Sequence, residues 1–156
     1  MLAKVRSAAV LGIDAYPIEI EINSGWGQPQ VIIVGLPDAA VKESRDRVKT
    51  AIENSGFKFV MGRLTLNLAP ADVKKEGPSF DLPIAIGILA VSEQIVAENL
   101  NEFSIVGELA LSGEVRSVNG VLPIALCARQ EKKRGLIVPV DNAPEATVSK
   151  PRFGKN

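Results

Sequence analysis

Ser79 is the first side chain in this sequence whose type and setting could support catalysis. It follows Gly77 and Pro78 and stands directly before an apolar segment that begins at Phe80. If that segment is a helix, its first N–H groups and its dipole could stabilise an oxyanion, and Ser79 would be a candidate nucleophile. The alternative is structural: Ser79 caps the helix, and Asp81 is a first-turn acid that suits the dipole.

A nucleophilic serine also needs a base that takes its proton. The chain has no histidine, which excludes Ser-His-Asp and Cys-His catalysis. A lysine could serve only if desolvation lowered its pKa. We expect Lys74 and Lys75 to lie in a polar loop beside Glu76, where both would keep their charge. The residues alone therefore provide a candidate nucleophile without an evident base.

Six basic residues in two groups are candidates for contact with DNA or with an acidic partner: Lys42, Arg45, Lys49, Lys132, Lys133 and Arg134. The first three have i, i+3 and i+7 spacing and would form one stripe on a helix, where phosphates could bind. Glu43 and Asp46 are interleaved with them, so an ordinary solvated helix face is the other interpretation. The last three stand at a predicted helix end, where cations also complement the dipole.

Composition and motif content exclude several other kinds of site. Lysine plus arginine number 18, as do aspartate plus glutamate, so any nucleic-acid contact would need a local patch. A Walker A loop is absent, and residues 25–27 lack the third glycine of a dinucleotide fingerprint. The single cysteine, Cys127, has no partner for a disulfide and, without histidine, leaves no usual zinc site. We expect no bound metal and a buried Cys127.

A cytoplasmic location without membrane contact is expected. No stretch reaches the roughly 18 to 20 apolar residues that span a bilayer. The longest apolar run, residues 82–91, contains Pro83 and Gly87 and is typical of a core helix. The first residues are not followed by a long apolar region, as those of a signal peptide would be. A single buried thiol fits a reducing compartment.

Hydrophobic periodicity predicts the elements that must position these residues. Strands are expected at residues 4–11, 16–22, 31–34, 63–68, 104–109, 113–118 and 136–140. The third would be central in the sheet, and the fifth and sixth would pair through a tight turn. Helices are expected over residues 38–56, 80–91 and 121–134, the first capped by Asp38 and closed by Gly56. This order predicts an α+β fold, a mixed sheet with helices packed against it, in one domain over residues 1–148 with a linker or disordered tail at 149–156.

Three stretches together resemble the magnesium-chelatase-like, ComM/YifB family of AAA+ proteins. They are VGLPDAAVKESRDRV at 34–48, NLAPAD with KEG and FDLPIA within 67–85, and GELALSGEVR with NGVLP within 107–123. The resemblance covers residues 3–145 and implies the fold of the Lon proteolytic domain, in the ribosomal-protein small-subunit domain-2-like β-α-β superfamily. It also implies a parent protein in which this domain precedes an AAA+ ATPase module.

The family resemblance implies partners and cofactors for that parent. Members are hexameric branch-migration helicases linked to DNA processing in natural transformation, so the expected partners are further copies of the parent in a ring, and DNA. ATP and Mg²⁺ are expected at the ATPase module beyond the end of this chain, and no cofactor is expected in this domain.

The likeness to Lon also bears on Ser79. Gly77-Pro78-Ser79 is similar to the Gly-Pro-Ser that carries the Lon nucleophile. The Lon base is a lysine just after a Gly-Gly pair at the start of a later helix, and Leu122 occupies the corresponding place here. Because leucine cannot take a proton, the resemblance implies an accessory domain without peptidase activity. The alternatives are a serine-lysine peptidase that uses Ser79 with another lysine, and a subunit domain of a magnesium chelatase.

Overall fold

The computed structural model describes residues 1–147, and the tail predicted at 149–156 lies outside them. The described residues form eight strands: β1 Leu2–Leu11, β2 Asp14–Gly25, β3 Gln30–Val34, β4 Arg63–Ala69, β5 Phe103–Ile105, β6 Glu108–Leu109, β7 Val115–Arg116 and β8 Gly135–Ile137. They also form four α-helices: α1 Ala39–Asn54, α2 Asp81–Val91, α3 Val121–Gln130 and α4 Ala143–Thr147. The predicted class, a mixed sheet with packed helices, is confirmed.

The main sheet has six strands in the order β3-β4-β2-β1-β5-β8. Its centre is the long antiparallel hairpin of β1 and β2, and β4 continues the antiparallel pairing on the far side of β2. The outer pairs, β3 with β4 and β1–β5–β8, are parallel. Strand β2 alternates as predicted, because Ile18, Ile20 and Ile22 are buried and the residues between them are partly exposed.

The prediction that residues 31–34 form a central strand is wrong. Strand β3 pairs only with β4 and stands at one edge of the sheet. Its side chains at Val31, Ile32 and Ile33 are half-buried, and among residues 1–147 no strand lies beyond it at this edge. A short apolar run has the same appearance in a central strand and in an edge strand that a helix covers on one face, so periodicity could not separate the two.

Other predicted boundaries also change, among them that of β7, which spans Val115–Arg116 rather than residues 113–118. The strand expected at 104–109 is two strands, since β5 ends at Ile105 and β6 begins at Glu108 to pair with β7 in a separate two-stranded sheet. Helix α3 ends at Gln130 rather than 134, and Lys132 has a left-handed φ of 55° that no helix can continue. Strand β8 is shorter than expected and ends at Ile137.

Helices α1, α2 and α3 bury their apolar faces against the main sheet or each other, whereas α4 has no buried residue and contacts α3. Asp38 caps α1 as predicted, because its Oδ1 accepts a hydrogen bond from Val41 N at 2.8 Å, and Gly56 beyond the helix end has φ 86°. Helix α2 is buried on most sides and packs beside α1. Cys127, on the inner side of α3, is buried with Val106 and Ile124 as expected. Among residues 1–147, no helix has the length and apolar character needed to cross a bilayer.

Candidate functional site

The structure places Ser79 in a 3-10 turn, Pro78–Phe80, directly before α2. Its carbonyl accepts a hydrogen bond from Gly107 N at 2.9 Å, which fixes the turn against the segment between β5 and β6. Of the structural alternative, the Ser79 cap is wrong, because the N-cap position is Phe80 and no side chain caps this helix, whereas Asp81 lies in the first turn of α2 as expected. Within residues 1–147, no hydrogen bond joins the Ser79 hydroxyl to a lysine.

Lys75 lies in the expected polar loop, but the expectation that its side chain is solvated there is wrong, because the side chain is completely buried. The Lys75 Nζ donates to Gly35 O at 2.6 Å and to Pro70 O. Its backbone N–H donates to Leu36 O, and its carbonyl accepts from Asp38 N, both at 3.0 Å. The polar loop therefore folds across the connection between β3 and α1, and the aliphatic stem is covered.

Burial lowers the pKa of Lys75, partly opposed by the nearby Asp72 carboxylate. A catalytic lysine needs a lowered pKa of this kind, but the Lys75 ammonium is hydrogen-bonded to the Gly35 and Pro70 carbonyls. Its neighbour Lys74 is exposed and pairs with Glu76 at 3.3 Å, as the polar-loop prediction required. Lys75 therefore has a structural role: its hydrogen bonds hold the loop that follows β4 against the connection between β3 and α1.

Leu122 is the second residue of α3 and is half-buried. Gly120, with φ 77°, precedes the helix in the left-handed region, and the Leu122 backbone N–H donates to Glu145 Oε1 at 3.0 Å. The position that corresponds to the Lon lysine thus carries an apolar side chain at a helix start. No proton acceptor is present at this position.

A buried ion pair joins α1 to α2. The fully buried Asp81 carboxylate accepts from Ser44 Oγ at 2.5 Å, from Arg47 Nε at 2.8 Å and Nη2 at 3.0 Å, and from Leu109 N at 3.1 Å. Arg47 also donates to Ala40 O, and its hydrogen bonds to Asp81 are the main cause that raises its pKa. Sequence reasoning missed this pair; the available signal was a serine, Ser44, inside the apolar stripe of α1.

The three basic residues predicted on the first helix, Lys42, Arg45 and Lys49, form one exposed stripe along α1. We call them the α1 stripe. Among the described residues, no carboxylate lies within ion-pair distance of any of the three, although Asp46 and Glu53 are on the same helix. The Lys49 Nζ lies 5.8 Å from the centre of the Phe59 ring. These cations are thus available to an anionic partner.

Two open grooves follow the α1 stripe along the unpaired edge of β3. A groove of about 250 Å³ lies between β3 and the Lys42 and Arg45 side chains. A second, of about 410 Å³, continues past Lys49 to the segment 59–62. We call the second one the edge groove. It is lined by Arg45, Lys49, Phe59 and the start of β3, and it also contains Asp46 and Glu53.

The second basic group, Lys132, Lys133 and Arg134, lies in the turn between α3 and β8, beyond the predicted helix end. Lys133 Nζ donates to Asn101 O at 2.8 Å, and Arg134 Nη1 lies 3.3 Å from Glu102 Oε2. Two of the three cations are therefore engaged with the loop before β5. The structure does not bring this group together with the α1 stripe, because β8 and β3 are the opposite edges of the main sheet.

Comparison with known proteins agrees with this fold. A family model for subunit ChlI of Mg-chelatase matches residues 18–142. The competence protein ComM of Haemophilus influenzae is 50% identical over 147 residues, 94% of this chain and 29% of ComM. The YifB protein of Salmonella typhimurium is 49% identical over 144 residues, 92% of this chain and 28% of YifB. Lon protease 2 of Bacillus subtilis is 29% identical, with 88% of this chain and 28% of that protein covered.

The mixed sheet, the Ser79 turn before α2 and the match to Lon define a Lon-like domain of the magnesium-chelatase class. Within that class, the chain belongs to the ComM/YifB family. It spans 28–29% of the length of the ComM and YifB relatives.

Proposed function

We propose that this chain is the non-catalytic Lon-like domain of a ComM-type AAA+ ATPase that processes DNA in the cytoplasm. The parent would act as a hexameric branch-migration helicase in natural transformation, and this domain would aid ring assembly and contact DNA. ATP and Mg²⁺ would bind to the ATPase module of the parent. The family membership supports the class of parent, and the likeness to a competence protein of Haemophilus influenzae supports the connection to DNA.

The main support for the proposed DNA contact is the α1 stripe. Its three cations are exposed and unpaired within the described residues, whereas two of the three in the second basic group are already engaged. Helix α1 is held in place by the buried pair of Asp81 and Arg47, so the stripe is presented on a rigid support. Exposed cations in a row along one helix are suited to phosphate contacts.

The DNA contact can be tested with charge reversal of the α1 stripe. The triple variant Lys42→Glu, Arg45→Glu, Lys49→Glu should weaken binding of the 156-residue chain to a fluorescent oligonucleotide by at least about 10-fold at low salt. The triple variant Lys132→Glu, Lys133→Glu, Arg134→Glu is the matched control, because it makes the same change in net charge at the opposite sheet edge. Equal binding by the triple variant and the wild type would remove the stripe from the proposal.

The peptidase alternative is not favoured. Position 122 is leucine, and Lys75, which has the burial a lysine base would need, donates to two backbone carbonyls. We expect wild type and Ser79→Ala to show the same background rate with a fluorogenic casein substrate. Hydrolysis by the wild type that Ser79→Ala abolishes would restore the peptidase hypothesis.

The chelatase alternative takes the name of the ChlI family model literally. It would require a site for magnesium or a tetrapyrrole, and no group of three potential metal ligands comes together in residues 1–147. We therefore keep the family name for the class of domain and assign no chelatase chemistry to it.

A further inference from the structure

A tryptophan stands in an unusual position beside the edge groove. Trp26 is fully exposed in the loop between β2 and β3. Tryptophan is normally largely buried, since its ring has the largest apolar surface of any side chain. Nothing in the fold requires an indole at a loop tip, so this exposed ring is a candidate contact for a ligand.

Trp26 stands next in sequence to a residue that contacts the lining of the edge groove. Its neighbour Gly25 packs so closely on Gly62 that a Cβ added to Gly62 would lie 2.7 Å from the Gly25 carbonyl oxygen. Gly62 in turn lines the edge groove with Lys49 and Arg45. Met61, also exposed, stands next to Gly62. Trp26 is thus one residue away from a backbone contact with Gly62, which lines the edge groove together with the cationic Arg45 and Lys49.

The open edge of β3 adds hydrogen-bonding groups to the same surface. Gln30 N donates to Gly62 O at 3.2 Å, on the β4 side. Because successive residues of a strand direct their backbone groups to opposite sides, those of Val31 and Ile33 point away from β4. No other described strand pairs with them there. This edge offers two N–H donors and two carbonyl acceptors to a ligand.

These three features are matched by one chemical class of ligand. Phosphates would contact the cations of the α1 stripe, an unpaired base could stack on Trp26, and the polar edges of bases could bond to the open edge of β3. In a duplex the bases are stacked and paired, so only its phosphates could be used. An acidic peptide would satisfy the cations and the strand edge but would leave the indole without a stacking partner.

We propose that the edge groove and Trp26 form a site for single-stranded nucleic acid, with Trp26 as the stacking platform. This inference rests on the proposed DNA contact and adds to it the strand form of the ligand and the residue that selects it. The α1 stripe supplies affinity that any nucleic acid shares. Trp26 supplies the stacking contribution to affinity, which only an unpaired base can use.

The test uses the fact that Trp26 is the only tryptophan in the chain, so its fluorescence reports on this site alone. Titration of the 156-residue chain with oligothymidylate should quench the emission as a base stacks on the indole. A blunt duplex of equal length should bind without comparable quenching, and a polyglutamate peptide should fail to displace the oligothymidylate at equal charge concentration.

Variants separate stacking from a general effect on the surface. Trp26→Ala should weaken oligothymidylate binding about 10-fold, measured by fluorescence anisotropy of the labelled strand, and leave duplex binding unchanged. Trp26→Phe should retain part of the affinity. Ile13→Ala, which alters an equally exposed apolar residue at the tip of the β1–β2 hairpin, is the matched control and should have no effect.

The outcomes distinguish failure of the single-strand site from failure of the proposed DNA contact. Equal binding of single strand and duplex, with no quenching and no loss in Trp26→Ala, would overturn the single-strand site and leave the proposed DNA contact standing. Effective displacement of oligothymidylate by polyglutamate would identify the site as one for acidic peptides and would likewise overturn the single-strand proposal. Absence of binding to either nucleic acid would overturn the proposed DNA contact and this inference together.

Discussion

At the scale of single residues, the contacts of Asp81 decide where helix α1 lies. A carboxylate without solvent exposure is tolerated only if its charge and its lone pairs are satisfied. The Asp81 carboxylate accepts hydrogen bonds from the Ser44 hydroxyl, from two nitrogens of Arg47 and from a backbone N–H of β6. The pair connects α1, α2 and the two-stranded sheet, and it thereby fixes the helix that presents the α1 stripe.

Asp81→Asn should destabilise the domain by about 3 kcal/mol, because it leaves the Arg47 guanidinium without its buried counter-charge. The measurement is urea denaturation followed by circular dichroism. Glu43→Gln is the matched control, since Glu43 is an exposed partner of the same arginine, with its Oε2 3.6 Å from Arg47 Nη1. Loss of this exposed charge should cost less than about 0.5 kcal/mol. Equal losses for the two variants would show that the buried pair has no special role.

Lys75 also acts at this scale, through a charge that is costly to bury. Its pKa is lowered by desolvation from an ordinary value of 10.5. Between the lowered pKa and 10.5, the unfolded chain holds more protons than the folded chain, so the contribution of Lys75 to stability increases as pH rises. Below that window the cost of burying the ammonium is fully present.

The stability difference between wild type and Lys75→Met should therefore shift in favour of wild type as pH rises from 7 toward 10. Chemical denaturation at a series of pH values measures it, and the difference cancels the contributions of other groups. Lys74→Met, which removes an exposed ammonium from the same loop, is the matched control for the change in net charge. A wild-type advantage that shrinks with rising pH would contradict the assignment.

At the scale of elements, the connection between β3 and α1 is the most constrained part of the chain. Gly35 leaves the sheet with φ 104°, and a Cβ added there would lie 2.1 Å from the carbonyl oxygen of Leu68 in β4. The Gly35 carbonyl also accepts the Lys75 ammonium. Only glycine satisfies both the backbone conformation and the close approach of the neighbouring strand.

Gly35→Ala should thus destabilise the domain by several kcal/mol or prevent folding, because backbone strain is combined with a clash that no side-chain movement relieves. Gly27→Ala is the matched control: its φ is 137°, but a Cβ there meets nothing within 4 Å. It should cost only the backbone term, about 1–2 kcal/mol. Similar thermal denaturation midpoints for the two variants would refute the steric argument.

The elements also show what the sequence could and could not predict. Strand β2, helix α1 with its Asp38 cap and the apolar helix α2 followed from periodicity and local capping, which are properties of neighbouring residues. The edge position of β3 and the burial of Lys75 depend on which distant segments meet, and no local pattern encodes that. The α1 stripe was predicted from i, i+3, i+7 spacing, but only the structure could show that its cations form no ion pair within residues 1–147.

At the scale of the whole molecule, the charge distribution matters more than the net charge. The chain has equal numbers of acidic and basic residues, and the two basic groups lie near opposite edges of the main sheet. A domain of this kind would orient DNA relative to one edge rather than attract it from all sides. The central claim is accordingly that the β3 edge, with the α1 stripe, is the DNA-contacting side.

The salt dependence of oligothymidylate binding tests that claim most directly. Each phosphate contact with a single strand contributes about 0.7 to the slope of log K against log salt concentration, so neutralising three cations should reduce the slope by about 2. The triple variant Lys42→Gln, Arg45→Gln, Lys49→Gln should show this reduction, and Lys132→Gln, Lys133→Gln, Arg134→Gln should leave the slope nearly unchanged. A slope that falls only in the second variant would contradict the account and assign the contact to the β8 edge.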